Sequence, residues 1–184
     1  MPELTHVKVK KLTIHYHEAI TSLDGRIEER LAARGVILKD NKILLMYTRR
    51  YNDYSLPGGG VDPHESITEG LIRELKEETG AGNIKIEEEL GIYEEYRPSR
   101  TLEHDILHMI SYIYKVNCDD KFDLPQFENY ELKNGMEVIW IDINEAIDHN
   151  KMVIEKMESS MGLSVKRELF LLETIRTKYI AKEQ

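Results

Sequence analysis

The stretch from Gly58 to Ala81 constrains this chain most: three consecutive glycines, an Asp62-Pro63 step, then a run of helical pattern ending at Gly80. Glycine frees the backbone and proline fixes φ, so the first part must be a loop. Ser66 followed three residues later by Glu69 is a capping box, which places a helix start there. Gly80 supplies the left-handed residue that ends a helix, so the helix should stop near Thr79. A glycine loop therefore feeds a helix of about three to four turns.

Set around that helix at ~100° per residue, Ile67, Leu71, Ile72 and Leu75 form one apolar stripe that should face the core. Glu74, Glu77 and Glu78 fall beside it within an arc of about 100°, with Arg73 just beyond Glu77 and Lys76 pointing away. Gly70 lies inside the acidic arc, where it costs up to ~1 kcal/mol relative to Ala, an expense that makes sense if something approaches the backbone there. A Glu-rich run can be a solvated face. Here the clustering also suits a hard divalent cation such as Mg2+, which takes oxygen ligands and shares its shell with phosphates. The glycine loop can add a carbonyl ligand, or backbone N–H groups for a phosphate.

The pattern Gly59-x5-Glu65-x7-Arg73-Glu74-Leu75-x-Glu77-Glu78-x-Gly80 resembles the Nudix box, the signature of hydrolases acting on a nucleoside diphosphate linked to another group. Every fixed position is met. Ala81 departs softly, where the family prefers a larger aliphatic, and Tyr54-x-Leu56-Pro57 is similar to the family's lead-in. The resemblance implies an α/β/α sandwich with a mixed β-sheet, and Mg2+ (or Mn2+ as a substitute) held by Glu74, Glu77, Glu78 and the Gly59 carbonyl. It also implies that Glu74, or an acid outside the box, deprotonates water, that Arg73 orients the glutamates, and that Glu65 pairs with Arg73 or sits behind the metal ligands. Asp105, Asp119, Glu128, Glu131 and Glu137 all qualify as the outside acid.

At 184 residues, 41% apolar and 32% charged, the chain suits one soluble domain, read here as residues 1–184. A single cysteine, Cys118, excludes an internal disulfide framework. No leader-like or membrane-spanning apolar run is present, so a cytoplasmic location is the default. The formal charge of −9 argues against a nucleic-acid surface and would repel a polyphosphate. A metal-complexed small nucleotide and local arginines are the ways around that repulsion. Arg49, Arg50, Arg97 and Arg100 are the candidates for substrate contact; Arg49 and Arg50 read equally well as a solvated turn.

Residues 6–17 alternate apolar and polar with a slip at Lys10-Lys11, a bulged strand. Asp24-Gly25 signals a hairpin turn. The first thirty residues exceed what the box requires and read as an added β-ribbon, either a sheet edge or a contact in a homodimer. Residues 31–38 and 42–48 are apolar runs joined by a second hairpin at Lys39-Asp40-Asn41, and residues 83–96 hold one or two strands. His104 and His108, four apart at a strand entrance, read as structural. Residues 119–135 read as a long loop or hairpin, residues 138–141 as a strand running into an Asn144 N-cap and a short helix over 145–149. Ser164 should cap a long final helix with Leu169, Leu172, Ile175, Arg176 and Tyr179 at helical spacing.

The reading that follows is a metal-dependent hydrolase cleaving a diphosphate bond by attack of water on phosphorus. The alternative is a nucleotide- or nucleotide-sugar-sensing Nudix domain without turnover, although such domains usually carry eroded boxes. Isomerisation of an isopentenyl-type diphosphate would lean on a pocket cysteine, for which Cys118 is a weak candidate.

Overall fold

A computed structural model describes residues 10–157 and 159–180. The larger of two sheets is mixed and five-stranded, in the order β1 (Lys11–Tyr16), β7 (Lys85–Pro98), β8 (Ile106–Asn117), β2 (Ile27–Val36), β6 (Gly58–Gly60). β2 runs parallel to β8 and β1 parallel to β7, whereas β7–β8 and β2–β6 are antiparallel. The second sheet centres on β4 (Lys42–Thr48). β9 (Met136–Asp142) pairs along all of it, and the short β3 (Leu38–Lys39) and β5 (Asp53–Ser55) pair with its start and its end.

Successive strand residues face opposite sides, which decides where the helices lie. Val36 and Ile113 join a core with Leu45, α3 (Ile143–Lys156) and α4 (Val165–Ile175), through Ile147, Leu171 and Leu172. Their neighbours Ala33 and Tyr114 join a second core beneath α1 (Ile67–Thr79), through Leu71 and Leu75. Helices therefore cover the mixed sheet from both faces, as an α/β/α sandwich should. Leu71 and Leu75 of the expected stripe are fully buried, while Ile67 and Ile72 are half-buried.

The expected slip in the first strand appears as a register shift between Lys11 and Thr13; residues 6–9 lie outside the described residues. Asp24-Gly25 does not form a hairpin. β1 and β2 are separated in the sheet by β7 and β8, and a tight turn can join only strands that lie side by side. The connection is instead pinned by Asp105, which accepts from the Arg26 backbone N–H at 2.9 Å and from its guanidinium at 3.1 and 3.2 Å. The turn at Asp40-Asn41 does make the β3–β4 hairpin, with Asp40 at φ 54°. β7 is one strand with register shifts near Glu87 and Leu90, which is why its apolar alternation is broken.

Residues 119–135 are not merely loop: α2 (Asn129–Asn134) sits there, ended by Gly135 at φ 67°. The N-cap of α3 is Asp142, whose carboxylate accepts from Asn144 N at 2.8 Å, so the helix begins earlier than Asn144 and runs to Lys156. Ser164 holds the N-cap position of α4 without a side-chain hydrogen bond, and the last turn, Arg176–Ile180, widens to a π-helix. Among the described residues no helix is long and apolar enough to cross a membrane.

Candidate active site

The loop-to-helix unit forms as its sequence dictates. Ser66 Oγ accepts from Glu69 N at 3.3 Å, the Glu69 carboxylate accepts from Ser66 N at 2.8 Å, and Gly80 closes α1 at φ 74°. Upstream, β6 carries the glycines alongside β2, with Gly59 opposite Ala33. A side chain on Gly59 would put its Cβ 2.5–2.7 Å from the Glu74 carboxyl group, so glycine alone lets the strand lie against that carboxylate. Gly58 N donates to Glu78 Oε2 at 2.6 Å, and the Gly58 carbonyl accepts from Arg34 on β2.

Arg73 is a clamp. It donates to Glu65 at 3.1 and 2.6 Å, to Glu74 at 2.8 Å, to Glu77 at 3.3 Å and to the Gly60 carbonyl at 3.1 Å. Glu65 holds Arg73 above its usual pKa, and Arg73 in turn pulls Glu65 down. The glycine inside the acidic arc is explained by the same residue: a Cβ at Gly70 would fall 2.8 Å from Glu65 Oε1. Burial acts oppositely on the other acids. It raises Glu74, with Arg73 opposing, and pushes Glu78 up to about 8, with Arg34 opposing.

Glu74 and Glu78 open into a cleft of about 390 Å³ that also holds Gly58, Gly59 and Gly60. Its other walls bring Asp53 and Ser55 from β5, Tyr130 and Glu131 from α2, Arg30 and Arg34 from β2, Arg97 and Arg100 from the β7 end, and Arg167 from α4. Arg167 is 3% exposed and donates to Glu95 at 2.9 Å and to Glu168 at 2.8 and 3.0 Å. Burial works against its charge, but Glu168 and Glu95 outweigh that and hold its pKa up. Glu168 also accepts from Leu56 N at 2.9 Å, which fastens α4 to the segment entering β6.

A model of the NUDIX domain family matches residues 29–160. The chain belongs to the Nudix family. An ADP-ribose pyrophosphatase of Methanocaldococcus jannaschii is 29% identical over 161 residues, covering 84% of this chain and 82% of that protein. A Bacillus subtilis protein provisionally named an 8-oxo-dGTP diphosphatase is 39% identical over 59 residues, 32% of this chain and 39% of its own length. The solution structure of the Escherichia coli ORF135 protein shares the fold, with a TM-score of 0.53 at 20% identity over 85% of this chain and 95% of that one. β1 precedes the Nudix match.

Within this Nudix chain the predicted residues divide. Gly59, Glu74 and Glu78 line the cleft, and Arg73, Glu65 and Glu77 form the clamp beside it. Of the four sequence-derived arginines, Arg97 and Arg100 line the cleft. Arg49 pairs with Glu137 and Arg50 donates to Asn134 Oδ1 at 3.1 Å, both outside its lining. Of the five outside acids only Glu131 lines it, accepting from Glu128 N at 2.6 Å and from the Tyr130 hydroxyl at 3.2 Å. Asp105 is held by Arg26, Asp119 accepts from Asn83 at 2.5 Å, and Glu137 pairs with Arg49. Arg34, Asp53 and Arg167 escaped sequence reasoning. Arg30 and Arg34 could have been found, since alternation puts them on the β2 face that also carries Val36.

Among the described residues no three acidic, imidazole or thiol side chains converge as a finished cation cage. Glu74 and Glu77 are turned onto Arg73, and Glu78 onto Gly58 N. The donor chemistry nevertheless fits a hard divalent cation: all-oxygen, with the buried Glu78 and half-buried Glu74 carboxylates, both pushed up by burial, beside a strand kept open by Gly59.

Proposed function

We propose that this Nudix chain hydrolyses the diphosphate bond of a nucleoside diphosphate derivative with Mg2+, or Mn2+ in its place. The observation that carries it is the joining of Glu74, Glu78 and Gly59 to cationic side chains in one cleft. Glu74, Glu77, Glu78 and the Gly59 carbonyl would hold the cation, which supplies charge neutralisation at the phosphoryl oxygens. For Glu74 and Glu77 this means exchanging an Arg73 contact for the metal, while Glu65 keeps Arg73 in place. Glu131 faces the cleft with a carboxylate fixed by two hydrogen bonds, so it is the acid outside the box best placed to take the proton of the attacking water; Glu74 is the competing base. The named activity of the M. jannaschii relative supports ADP-ribose as a first substrate. A cytoplasmic location accompanies this reading. The first thirty residues serve either as a sheet edge alone or also as a homodimer contact, which sedimentation will decide.

The test is incubation with ADP-ribose and Mg2+, read as AMP release. Turnover should stop with EDTA and return with Mg2+ or Mn2+. Glu77→Gln and Glu78→Gln should fold yet lose about a thousandfold in kcat, the scale expected when charge stabilisation of the transition state is removed. Ligand binding without any turnover across a nucleotide panel would replace the hydrolase by a sensor.

A further inference from the structure

Part of the cleft gathers positive charge that the neighbouring acids do not take up. Arg34 donates to the Gly58 carbonyl, but its buried Nε has no hydrogen-bond partner. Arg97, 16% exposed, has its Nε 3.7 Å from Glu95, which already accepts from Arg167 at 2.9 Å; that buried Nε, too, makes no hydrogen bond. Arg100 reaches the same space from the exposed loop that follows β7. Among the described residues no carboxylate forms an ion pair within 4.0 Å of Arg34 or Arg100. Burial depresses the pKa of Arg34 and of Arg97; nearby Arg167 lowers both further, while Glu168, Glu78 and Glu74 oppose the shift in Arg34 and Glu95 opposes it in Arg97.

Like charges held together in a partly desolvated cleft cost free energy unless an anion offsets them. In ADP-ribose the charge sits on the scissile diphosphate, which the acidic wall and its cation would hold. That leaves Arg34 and Arg100 without an ion-pair partner among the described residues, and Arg97 with one it shares with Arg167. We infer that Arg34, Arg97 and Arg100 form a subsite for an additional phosphate of the substrate, so that the preferred substrates are nucleotides bearing at least one phosphate beyond the cleaved pair. The inference deepens the hydrolase reading and rests on it for the word substrate, but the subsite itself binds phosphate whether or not the protein turns anything over. The planar guanidinium is suited to the task because it offers paired donors to phosphate oxygens.

Two measurements test it. In metal-free buffer, calorimetry with inorganic phosphate and with inorganic triphosphate should show binding to the wild type, weakened about tenfold by Arg97→Gln and by Arg100→Gln. Arg100 is exposed, so its variant keeps the experiment interpretable if Arg97→Gln misfolds. No binding by the folded wild type overturns the subsite even if ADP-ribose is hydrolysed. With Mg2+, Arg100→Gln should lower the ratio of kcat/KM for a nucleoside triphosphate over ADP-ribose by about tenfold, mainly through KM. Equal losses on both compounds would assign the arginines to the scissile diphosphate and overturn the inference. A protein that binds phosphate but cleaves nothing refutes the hydrolase and leaves the subsite standing.

Discussion

Neighbouring glycines in β6 have different reasons to be glycine, and substitution should separate them. A Cβ on Gly58, at φ 127°, would meet the Ala33 carbonyl oxygen at 2.1 Å, against backbone that cannot yield. Gly58→Ala should therefore lower unfolding free energy by about 3 kcal/mol or more in urea titration. At Gly59 the obstacle is the end of the Glu74 side chain, which can swing away, so Gly59→Ala should cost less than about 1 kcal/mol while displacing the carboxylate and reducing kcat about a hundredfold. Asp53 gives a pH signature. Burial first, then Glu168, raise its carboxyl from 3.8 to about 7. A folded carboxyl that keeps its proton longer than the unfolded one stabilises most below pH 4, and that contribution is lost as pH rises through about 7. Asp53→Asn should flatten the decline of stability between those limits, measured by denaturant unfolding without added metal; an unchanged slope would remove Asp53 as its source.

At the scale of elements, α4 is held to the mixed sheet by charges rather than by apolar packing alone. Glu95, Arg167 and Glu168 are each no more than 3% exposed and satisfy one another. Removing one partner strands the rest, so Glu95→Ala should destabilise by about 3–5 kcal/mol, whereas an apolar replacement of the whole triad should come close to neutral, both read by chemical denaturation. What could be read from the sequence follows the range of the interaction. The start and end of α1 are decided within four residues, by Ser66, Glu69 and Gly80, and were legible in full. The turn at Asp24-Gly25 carried a sound local signal that tertiary pairing overrode, because β7 took β1 as its edge partner. The five outside acids could not be sorted from composition or spacing, since only the placing of α2 brings Glu131 alone to the cleft. Arg167 was missed because a charged residue amid apolar neighbours looks alike whether it lines a cleft or caps a surface; partners such as Glu95, 72 residues away, decide which.

For the molecule as a whole, the net charge of −9 would repel the proposed anionic substrate, and the cleft counters it locally with Arg30, Arg34, Arg97, Arg100 and Arg167 in its lining. β1 contributes no cleft residue, lies before the Nudix match and pairs along the edge of β7. Removing residues 1–16 should lower the melting temperature yet leave kcat/KM per folded molecule within about threefold; a collapse of activity in a folded variant would show that β1 reaches the chemistry. The bond from Leu56 N to Glu168 spans 112 residues of chain. At ribosomal speed that separation is on the order of ten seconds, so every emerging copy spends that interval with its glycine strand unmoored at one end. The signature motif is thus synthesised well before the side chain that buttresses it, and a chain cut short ahead of Glu168 would carry the motif with that bond unmade.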